Sequence, residues 1–129
     1  MTNSPTSEEF RILVCGGRSY MNRLKVWETL DKIHAERPIT LLIHGAAKGA
    51  DTLAHRWACY RKLAVVQCPA QWHLHGPAAG PMRNEYMLSE WKPNLVVSFS
   101  GGKGTEHMCR ISYAAGVDVM RIPEDVMEP

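Results

Sequence analysis

Hydrophobic residues follow two alternating patterns along this chain. Nearly continuous apolar runs are typical of buried strands, and they occur at residues 11–15, 39–43, 64–68, 95–99 and 117–122. Between these runs, apolar side chains recur at helical spacing, which predicts helices over residues 21–36, 50–63, 82–91 and 105–115. Residues 69–81 are rich in Pro, Gly, Ala and His and are predicted to form an irregular loop.

The alternation of strand and helix predicts an α/β fold. Continuous apolar strands joined by helices indicate a parallel sheet that is covered on both faces. We therefore expect a Rossmann-like three-layer sandwich with a five-stranded parallel sheet in the order 3-2-1-4-5. Residues 1–10 are predicted to be a flexible tail, and residues 11–129 a single domain.

Composition narrows the class of protein. The chain has 129 residues, of which 45% are hydrophobic and 22% charged, and this balance excludes a mainly disordered chain. No apolar run approaches the roughly 20 residues that span a bilayer, and the N-terminus lacks a signal-peptide pattern. We expect a cytoplasmic protein without a membrane partner. The formal charge of +2 is too small to argue for a nucleic-acid partner.

Metal and cofactor chemistry finds little support in the sequence. None of the four cysteines forms a C-x-x-C pair, so neither a zinc site nor a disulfide framework is predicted. His73 and His75 form an H-x-H pair, but no cysteine or acidic residue stands near them in sequence. We therefore predict no metal site and no cofactor.

Glycine-rich segments follow three of the predicted strands, at residues 15–19, 44–51 and 100–105. In an open parallel sheet, ligands bind beyond the carboxyl ends of the strands, where the strand order reverses. Glycine lets the backbone approach a ligand closely, and a following helix directs free N–H groups at an anion. None of the three matches a Walker or G-x-G-x-x-G pattern. The pattern alone predicts a site for a small anionic molecule.

Individual residues in and near these segments are candidate ligand contacts. Arg18 and Arg83 suit bidentate binding of phosphate or carboxylate. Trp72 is either a lid that stacks on a base or a core anchor. Asp51 either caps a helix or forms a hydrogen bond to a ribose hydroxyl or a neighbouring loop. Asn84 either caps or turns the chain or binds a ribose or base edge. The candidate ligand-binding set is Gly16, Gly17, Arg18, Ser19, Gly45, Lys48, Gly49, Asp51, Trp72, Arg83, Asn84, Gly101, Gly102, Lys103, Gly104 and Thr105.

Four ordered motifs carry a resemblance to a known family. They are G-G-R at residues 16–18, G-A-A-K-G-A-D at 45–51, A-G-P-M-R-N at 79–84 and G-G-K-G-T at 101–105. This set resembles the SLOG superfamily, and most closely its small YspA, cpYpsA-related members. The resemblance implies a Rossmann-like fold with a nucleotide or nucleotide-derived ligand at the switch point. Relatives are often dimers, so a homodimer is an open expectation, with Trp57, Tyr60 and Trp91 as candidate contacts. The alternative is that these side chains fill the core, which is favoured for Trp57.

The resemblance extends to the LOG phosphoribohydrolases, which split a nucleoside monophosphate into base and ribose 5-phosphate. Arg83 followed by Met87 is similar to one LOG element, and residues 101–105 to the core of another. However, Met108 stands where LOG has its catalytic Glu, and Ser100 where LOG has Pro. The nearest acid, Glu106, is shifted by two positions, which is about 200° around a helix. Glu106 and Arg83 are nevertheless the catalytic candidates.

Three functions remain open at this stage. The first is a sensor or processing protein that binds a nucleotide, which the missing LOG glutamate favours. The second is an enzyme that cleaves an N-glycosidic bond, with Glu106 or Asp51 as the carboxylate. The third is single-stranded nucleic-acid binding, which distant superfamily members and the basic residues Arg56, Arg61 and Lys62 suggest.

Overall fold

The computed structural model describes residues 9–124 and contains the predicted parallel sheet. Its strands are β1 (Arg11–Cys15), β2 (Leu41–His44), β3 (Ala64–Gln67), β4 (Leu95–Ser98) and β5 (Asp118–Arg121). Their order is β3-β2-β1-β4-β5, which confirms the prediction. The first strand is central, because Ile12 pairs with Leu42 on one side and Leu95 on the other. The strand order reverses between β1 and β4, so a switch-point crevice opens beyond their carboxyl ends.

Helices cover both faces of the sheet. They are α1 (Arg23–Glu36), α2 (Ala50–Tyr60), α3 (Trp72–His75), α4 (Ala79–Trp91) and α5 (Lys103–Ala114). The N-terminus of α1 is capped by Asn22, whose Oδ1 accepts from the Lys25 N–H at 3.0 Å. Helices α1 and α2 pack together, and α4 packs with α5. Among residues 9–124, no helix is long and apolar enough to cross a membrane.

Alternate residues of β1 point into two separate cores. Ile12 and Val14 belong to the core beneath α1 and α2, together with the fully buried Trp57. Leu13 belongs to the other core, where it packs with Met108 and Met87 from the second pair of helices. Because both faces of the central strand are buried, its successive residues form a continuous apolar run. Because Trp57 is a core residue, it is not available as a dimer contact.

Two sequence predictions are corrected here. Residues 69–81 are not an irregular loop, because they contain α3, a 3-10 turn over Gly76–Ala78 and the first turn of α4. Proline suggested a loop here, but Pro81 lies in the first turn of a helix, where its missing N–H breaks no hydrogen bond. The predicted tail at 1–10 lies outside the described residues except for its last two. Of these, Phe10 is buried and donates its N–H to Thr40 Oγ1 at 2.9 Å, so it belongs to the fold.

Candidate functional site

A cavity of about 1020 Å³ lies beyond the carboxyl ends of β1 and β4, and we call it the main cavity. It lies at the switch point that the strand order defines. Its walls come from the segments after β1, β2 and β4 and from the start of α4. Most predicted site residues line it, namely Gly16, Gly17, Arg18, Gly45, Asp51, Trp72, Arg83, Asn84, Gly101, Gly102, Lys103, Gly104, Thr105 and Glu106.

Close backbone contacts join the segments after β1 and β4. The Gly17 N–H donates to the Ser100 carbonyl at 2.8 Å. A Cβ added at Gly101 would lie 2.6 Å from the Gly17 nitrogen, so no side chain fits between them. We call the surface formed by Gly17, Arg18, Gly101 and Gly102 the glycine ridge. It forms one edge of the main cavity.

The N-terminus of α5 opens into the main cavity without a side-chain cap. Its first hydrogen bond runs from the Glu106 N–H to the Gly102 carbonyl at 3.0 Å. The N–H groups of Lys103, Gly104 and Thr105 have no acceptor among residues 9–124. A Cβ at Gly102 or Gly104 would meet no atom within 4 Å. Free donors, the helix dipole and open space therefore coincide here, which suits an anion.

Arg83 lies in the second turn of α4 and is largely occupied by protein acceptors. Its Nη1 donates to the carbonyls of Gly45 at 2.5 Å and Cys68 at 3.2 Å. Its Nε donates to Asn84 Oδ1 at 3.0 Å. Only Nη2 lacks a partner in the part of the chain that the structure describes. Arg83 thus ties the ends of β2 and β3 to α4 and keeps one nitrogen for a ligand.

Asn84 uses its amide to join α4 to the start of α5. The side chain is buried, and Nδ2 donates to the Gly104 carbonyl at 3.2 Å. The same nitrogen lies 3.1 Å from His107 Nδ1. This geometry identifies a positioning role, since the amide holds the turn that carries the free N–H groups. The predicted ligand contact through Asn84 remains a prediction.

Asp51 lies in the first turn of α2, where it is 5% exposed. Its Oδ2 accepts from the Gly45 N–H at 3.0 Å and the Ala47 N–H at 3.2 Å. Its Oδ1 has no hydrogen-bond partner among the described residues. Burial raises the pKa of Asp51 to about 6, although these two backbone bonds and Arg83 favour the ionised form. A buried carboxylate thus faces the main cavity with one oxygen unused.

Glu106 is the other acidic residue of the main cavity, and its surroundings differ. It is exposed and forms two hydrogen bonds with the Arg121 guanidinium, at 3.0 and 3.2 Å. Arg121 lowers the pKa of Glu106 below its ordinary value. A paired carboxylate with a lowered pKa is a poor general acid at neutral pH. The geometry therefore favours Asp51 over Glu106 for proton transfer.

Trp72 forms part of the rim of the main cavity. Its ring is 45% exposed and lies against Gly80, where an added Cβ would be 3.2 Å from the ring edge. The Arg18 guanidinium lies 5.2 Å from the ring centroid. An aromatic ring with one face toward a cation and partial exposure to the cavity suits base stacking.

Three predicted residues lie away from the main cavity. Ser19 lines a second cavity of about 480 Å³, which shares the residues of the glycine ridge with the main cavity. Lys48 is exposed and lines neither cavity. Gly49 has φ +81°, and a Cβ there would overlap the Gly17 carbonyl oxygen. The need for glycine at position 49 is therefore a packing requirement.

The candidate residues for other chemistry lie elsewhere. His73 and His75 are exposed in α3, and residues 9–124 hold no cluster of three or more metal-ligating side chains. Arg61, one of the basic residues that suggested nucleic-acid binding, donates to Asp31 at 2.5 Å.

The main cavity is also lined by two basic side chains outside the predicted set, His107 and Arg110. Both follow Lys103 on α5 at offsets of four and seven positions. That spacing places all three on one helix face. The helical period counted from Lys103 was the signal that could have found them, and it adds a second cation to this wall.

Comparison with known proteins identifies the class. A Rossmann-like sheet with glycine segments at its switch point is the fold of the SLOG proteins. The chain belongs to the YspA, cpYpsA-related SLOG family, whose model matches residues 10–75. It is 34% identical over 118 residues to the "Gene 61 protein" of Mycobacterium phage D29, a match covering 85% of this chain and 94% of that one.

The fold is also that of a solved structure. The chain superposes on DNA processing protein A (DprA) from Streptococcus pneumoniae with a TM-score of 0.73 and 17% identity. The match covers 93% of this chain and 52% of DprA, so the chain spans about half the length of that protein. Family membership supports a role connected with nucleotides or nucleic acids in general terms.

Proposed function

We propose that the main cavity binds a nucleotide or nucleotide-derived ligand. The observation that carries this proposal is the uncapped first turn of α5, where the N–H groups of residues 103–105 have no acceptor in the described chain. A phosphate group lies against this turn, since free donors and the helix dipole both favour an anion there. The open space at the Gly102 and Gly104 α-carbons makes room for it.

The other side chains of the main cavity support the sugar and the base. Arg18 and the free Nη2 of Arg83 contribute positive charge near the phosphate. Asp51 Oδ1 accepts a hydrogen bond from a sugar hydroxyl, because Asp51 lines the main cavity and a carboxylate oxygen is a hydrogen-bond acceptor. Trp72 stacks on the base at the rim, where its ring is half-exposed.

Calorimetric titration of the purified protein with nucleoside monophosphates tests this proposal. We expect binding that requires the phosphate, so the matching nucleosides bind at least tenfold more weakly. Gly104→Ala should weaken binding, because its methyl group enters space that the phosphate needs while no protein atom lies within 4 Å. Absence of binding by every nucleotide tested would overturn the proposal.

A matched pair of lysines provides the control for charge. Lys103 lines the main cavity, whereas Lys48 is an exposed cation of another glycine segment and lines neither cavity. Lys103→Ala should weaken nucleotide binding and Lys48→Ala should not. Equal effects would show that only the overall charge of the protein matters.

Cleavage of an N-glycosidic bond is the second candidate function, and Asp51 is the observation that favours it. Asp51 is a buried residue with a pKa of about 6, and its Oδ1 has no partner in the described chain. In this reaction the C1′–N bond breaks and water forms a C1′–O bond. Asp51 takes a proton from the water, and solvent protonates the departing base.

Chromatographic detection of free base separates an enzyme from a sensor. With nucleoside monophosphates, an enzyme releases base, and Asp51→Asn abolishes the release while retaining the amide oxygen that holds Gly45 and Ala47. Glu106→Gln is the matched control and should keep full activity. Intact nucleotides with the native protein would reject cleavage and leave the binding function.

Single-stranded nucleic acid is an alternative ligand that the same protein preparation can test. Binding through many phosphates falls steeply with salt. An oligonucleotide affinity that exceeds the mononucleotide affinity and drops steeply between 50 and 200 mM salt, on the order of 10³-fold for six or more phosphate contacts, would favour that alternative.

A further inference from the structure

Two cysteines that lie far apart in sequence meet at the end of the central strand. Cys15 is the last residue of β1 and pairs with Ser98 of β4. Both side chains point toward α4 and α5, because alternate residues of a strand share a face and Leu13 and Val96 belong to that core. Cys109 lies on the buried face of α5. The strand register and the helix face therefore bring the two cysteines together, and we call them the cysteine pair.

The two thiols of the cysteine pair interact directly. A hydrogen-bond contact joins Cys15 to Cys109, and the Ser98 hydroxyl contacts both sulfurs. The contact with Cys15 lowers the pKa of Cys109, although burial opposes this. The same contact, together with burial, raises the pKa of Cys15. Cys109 is thus the sulfur that loses its proton first, and Cys15 keeps an S–H that it can donate.

One sulfur of the pair belongs to a residue that a small molecule can reach. Cys15 lines the main cavity, whereas Cys109 is fully buried behind it. We propose that Cys15 and Cys109 are a redox-active pair, which a peroxide that enters the main cavity converts into an intramolecular disulfide. The bond ties the end of β1 to α5, whose first turn lines the same cavity. This proposal is independent of the nucleotide ligand.

The reaction is a two-electron oxidation of the pair. The Cys15 sulfur attacks one peroxide oxygen while its proton passes to the Cys109 thiolate; an S–O bond forms, the O–O bond breaks and hydroxide leaves. This hydroxide takes the proton from Cys109 and becomes water. The Cys109 thiolate then attacks the Cys15 sulfur, so the S–S bond forms and the S–O bond breaks. The second hydroxide combines with the proton that Cys109 first released. Overall, two thiols lose two electrons and two protons, and the peroxide is reduced to two molecules of water.

The other two cysteines are internal controls, because the fold keeps them away from the pair. Cys68 follows β3, and β2 lies between β3 and β1. Two strand spacings are about 10 Å, whereas the α-carbons of a disulfide are usually about 4–7 Å apart. Cys59 is exposed on α2, which packs on the face of the sheet opposite to α5. If exposure alone decided reactivity, Cys59 would be oxidised first.

Peptide mapping of the peroxide-treated protein tests the proposal. The reduced native protein is treated with hydrogen peroxide, remaining thiols are blocked with N-ethylmaleimide, and the chain is digested without reduction. We expect one intramolecular bridge, which joins the peptides that contain Cys15 and Cys109 and leaves Cys59 and Cys68 outside it. Dithiothreitol should restore all 4 thiols. The same treatment of urea-unfolded protein should not favour this pairing.

Variants separate the roles of the two sulfurs. Cys15→Ser and Cys109→Ser should each abolish the bridge, whereas Cys68→Ser, the matched change of a buried cysteine in the same core, should keep it. In Cys109→Ser, oxidation of Cys15 should slow by about tenfold or more, because the thiolate that accepts its proton is gone. Circular dichroism verifies that each variant is folded.

Three results in the native protein would overturn the inference, so the test does not depend on the variants folding. One is a bridge that contains Cys59 or Cys68 in place of Cys15 or Cys109. Another is a protein whose Cys15 and Cys109 both stay reduced, or pass to sulfinic acid without forming a bridge. The third is an equal yield of the bridge in the native and the urea-unfolded chain, which would show that the fold does not direct the pairing.

Discussion

The guanidinium of Arg83 lies directly against the α-carbon of Gly45. Nη1 donates to the Gly45 carbonyl, and a Cβ at this glycine would overlap that nitrogen and lie 2.6 Å from Cζ. The same glycine donates its N–H to Asp51 Oδ2 at 3.0 Å. One residue without a side chain therefore contacts both a half-buried cation and a buried carboxylate in the lining of the main cavity.

Gly45→Ala should destabilise the protein by about 1–3 kcal/mol, the usual cost of overpacking a tight contact. The methyl group displaces Arg83, so its bonds to the Gly45 and Cys68 carbonyls are strained or lost. Urea unfolding measures the change. Gly104→Ala is the control, since its Cβ meets open space, and it should stay within about 0.5 kcal/mol of the native protein. Similar stability of both variants would contradict the packing described here.

Gly49→Ala should be more destabilising than Gly116→Ala. Both glycines have positive φ, +81° and +76°, which costs an alanine about 1–2 kcal/mol. Only at Gly49 does the added Cβ also overlap the Gly17 carbonyl oxygen, whereas nothing lies within 4 Å at Gly116. Thermal unfolding of the two variants separates packing from backbone strain. Equal losses would show that the contact with Gly17 relaxes freely.

Asp51 and His44 should have opposite effects on stability between pH 4 and pH 6. Burial raises the pKa of Asp51 to about 6 from 3.8, so its contribution is present at low pH and lost as pH rises, by up to about 3 kcal/mol. Burial, His55 and Arg83 lower the pKa of His44 to about 4, so its contribution is present at high pH and lost as pH falls. The native protein should therefore show a shallow pH dependence in this window.

Single variants should reveal the two opposed slopes. Asp51→Asn should give a stability that rises with pH, because only the His44 contribution remains. His44→Asn should give a stability that falls as pH rises. The asparagine oxygen can replace Nδ1 of His44, which accepts from the Ala46 N–H at 2.9 Å. Denaturant unfolding at half-unit pH steps measures both slopes. Parallel curves for the three proteins would contradict the assignment.

Trp72→Ala should weaken nucleotide binding by roughly 5- to 150-fold, which corresponds to the 1–3 kcal/mol of a base stacked on an aromatic ring. Folding stability should change little, since the ring is 45% exposed. Tyr86→Ala is the matched control, because this ring lies on α4, is 51% exposed and does not line the main cavity. Equal loss of affinity in both variants would remove Trp72 from the site.

The sequence was sufficient to predict the sheet and its strand order, because each strand is a continuous apolar run and each connection is helical. It failed at residues 72–81, where proline and glycine occur inside helical turns that composition alone assigns to a loop. The sequence also predicted that Arg83, near the start of a helix, is free to bind a ligand. The Gly45 and Cys68 carbonyls that occupy Arg83 are 38 and 15 residues away, and no local pattern records such contacts.

The sequence also could not predict the surroundings of the two acidic residues in the main cavity. Spacing along the chain made Glu106 the nearest acid to the glycine segment at 101–105. Only the fold shows that Arg121, 15 residues further on, pairs with it. Likewise, only the fold shows that Asp51 is buried with one oxygen facing the main cavity. The sequence predicted residues that the fold brings to one cavity, but the protonation properties of its two acids depend on neighbours that are distant in sequence.

The lining of the main cavity comes from two successive parts of the chain, and this affects how such a protein can diversify. The wall carrying Gly17, Gly45 and Asp51 lies within residues 10–75, the segment that matches the family model. The rest of the lining, with Arg83 and the first turn of α5, comes from later residues. Substitutions among these later residues can therefore change the cavity lining while the segment that matches the family model stays intact.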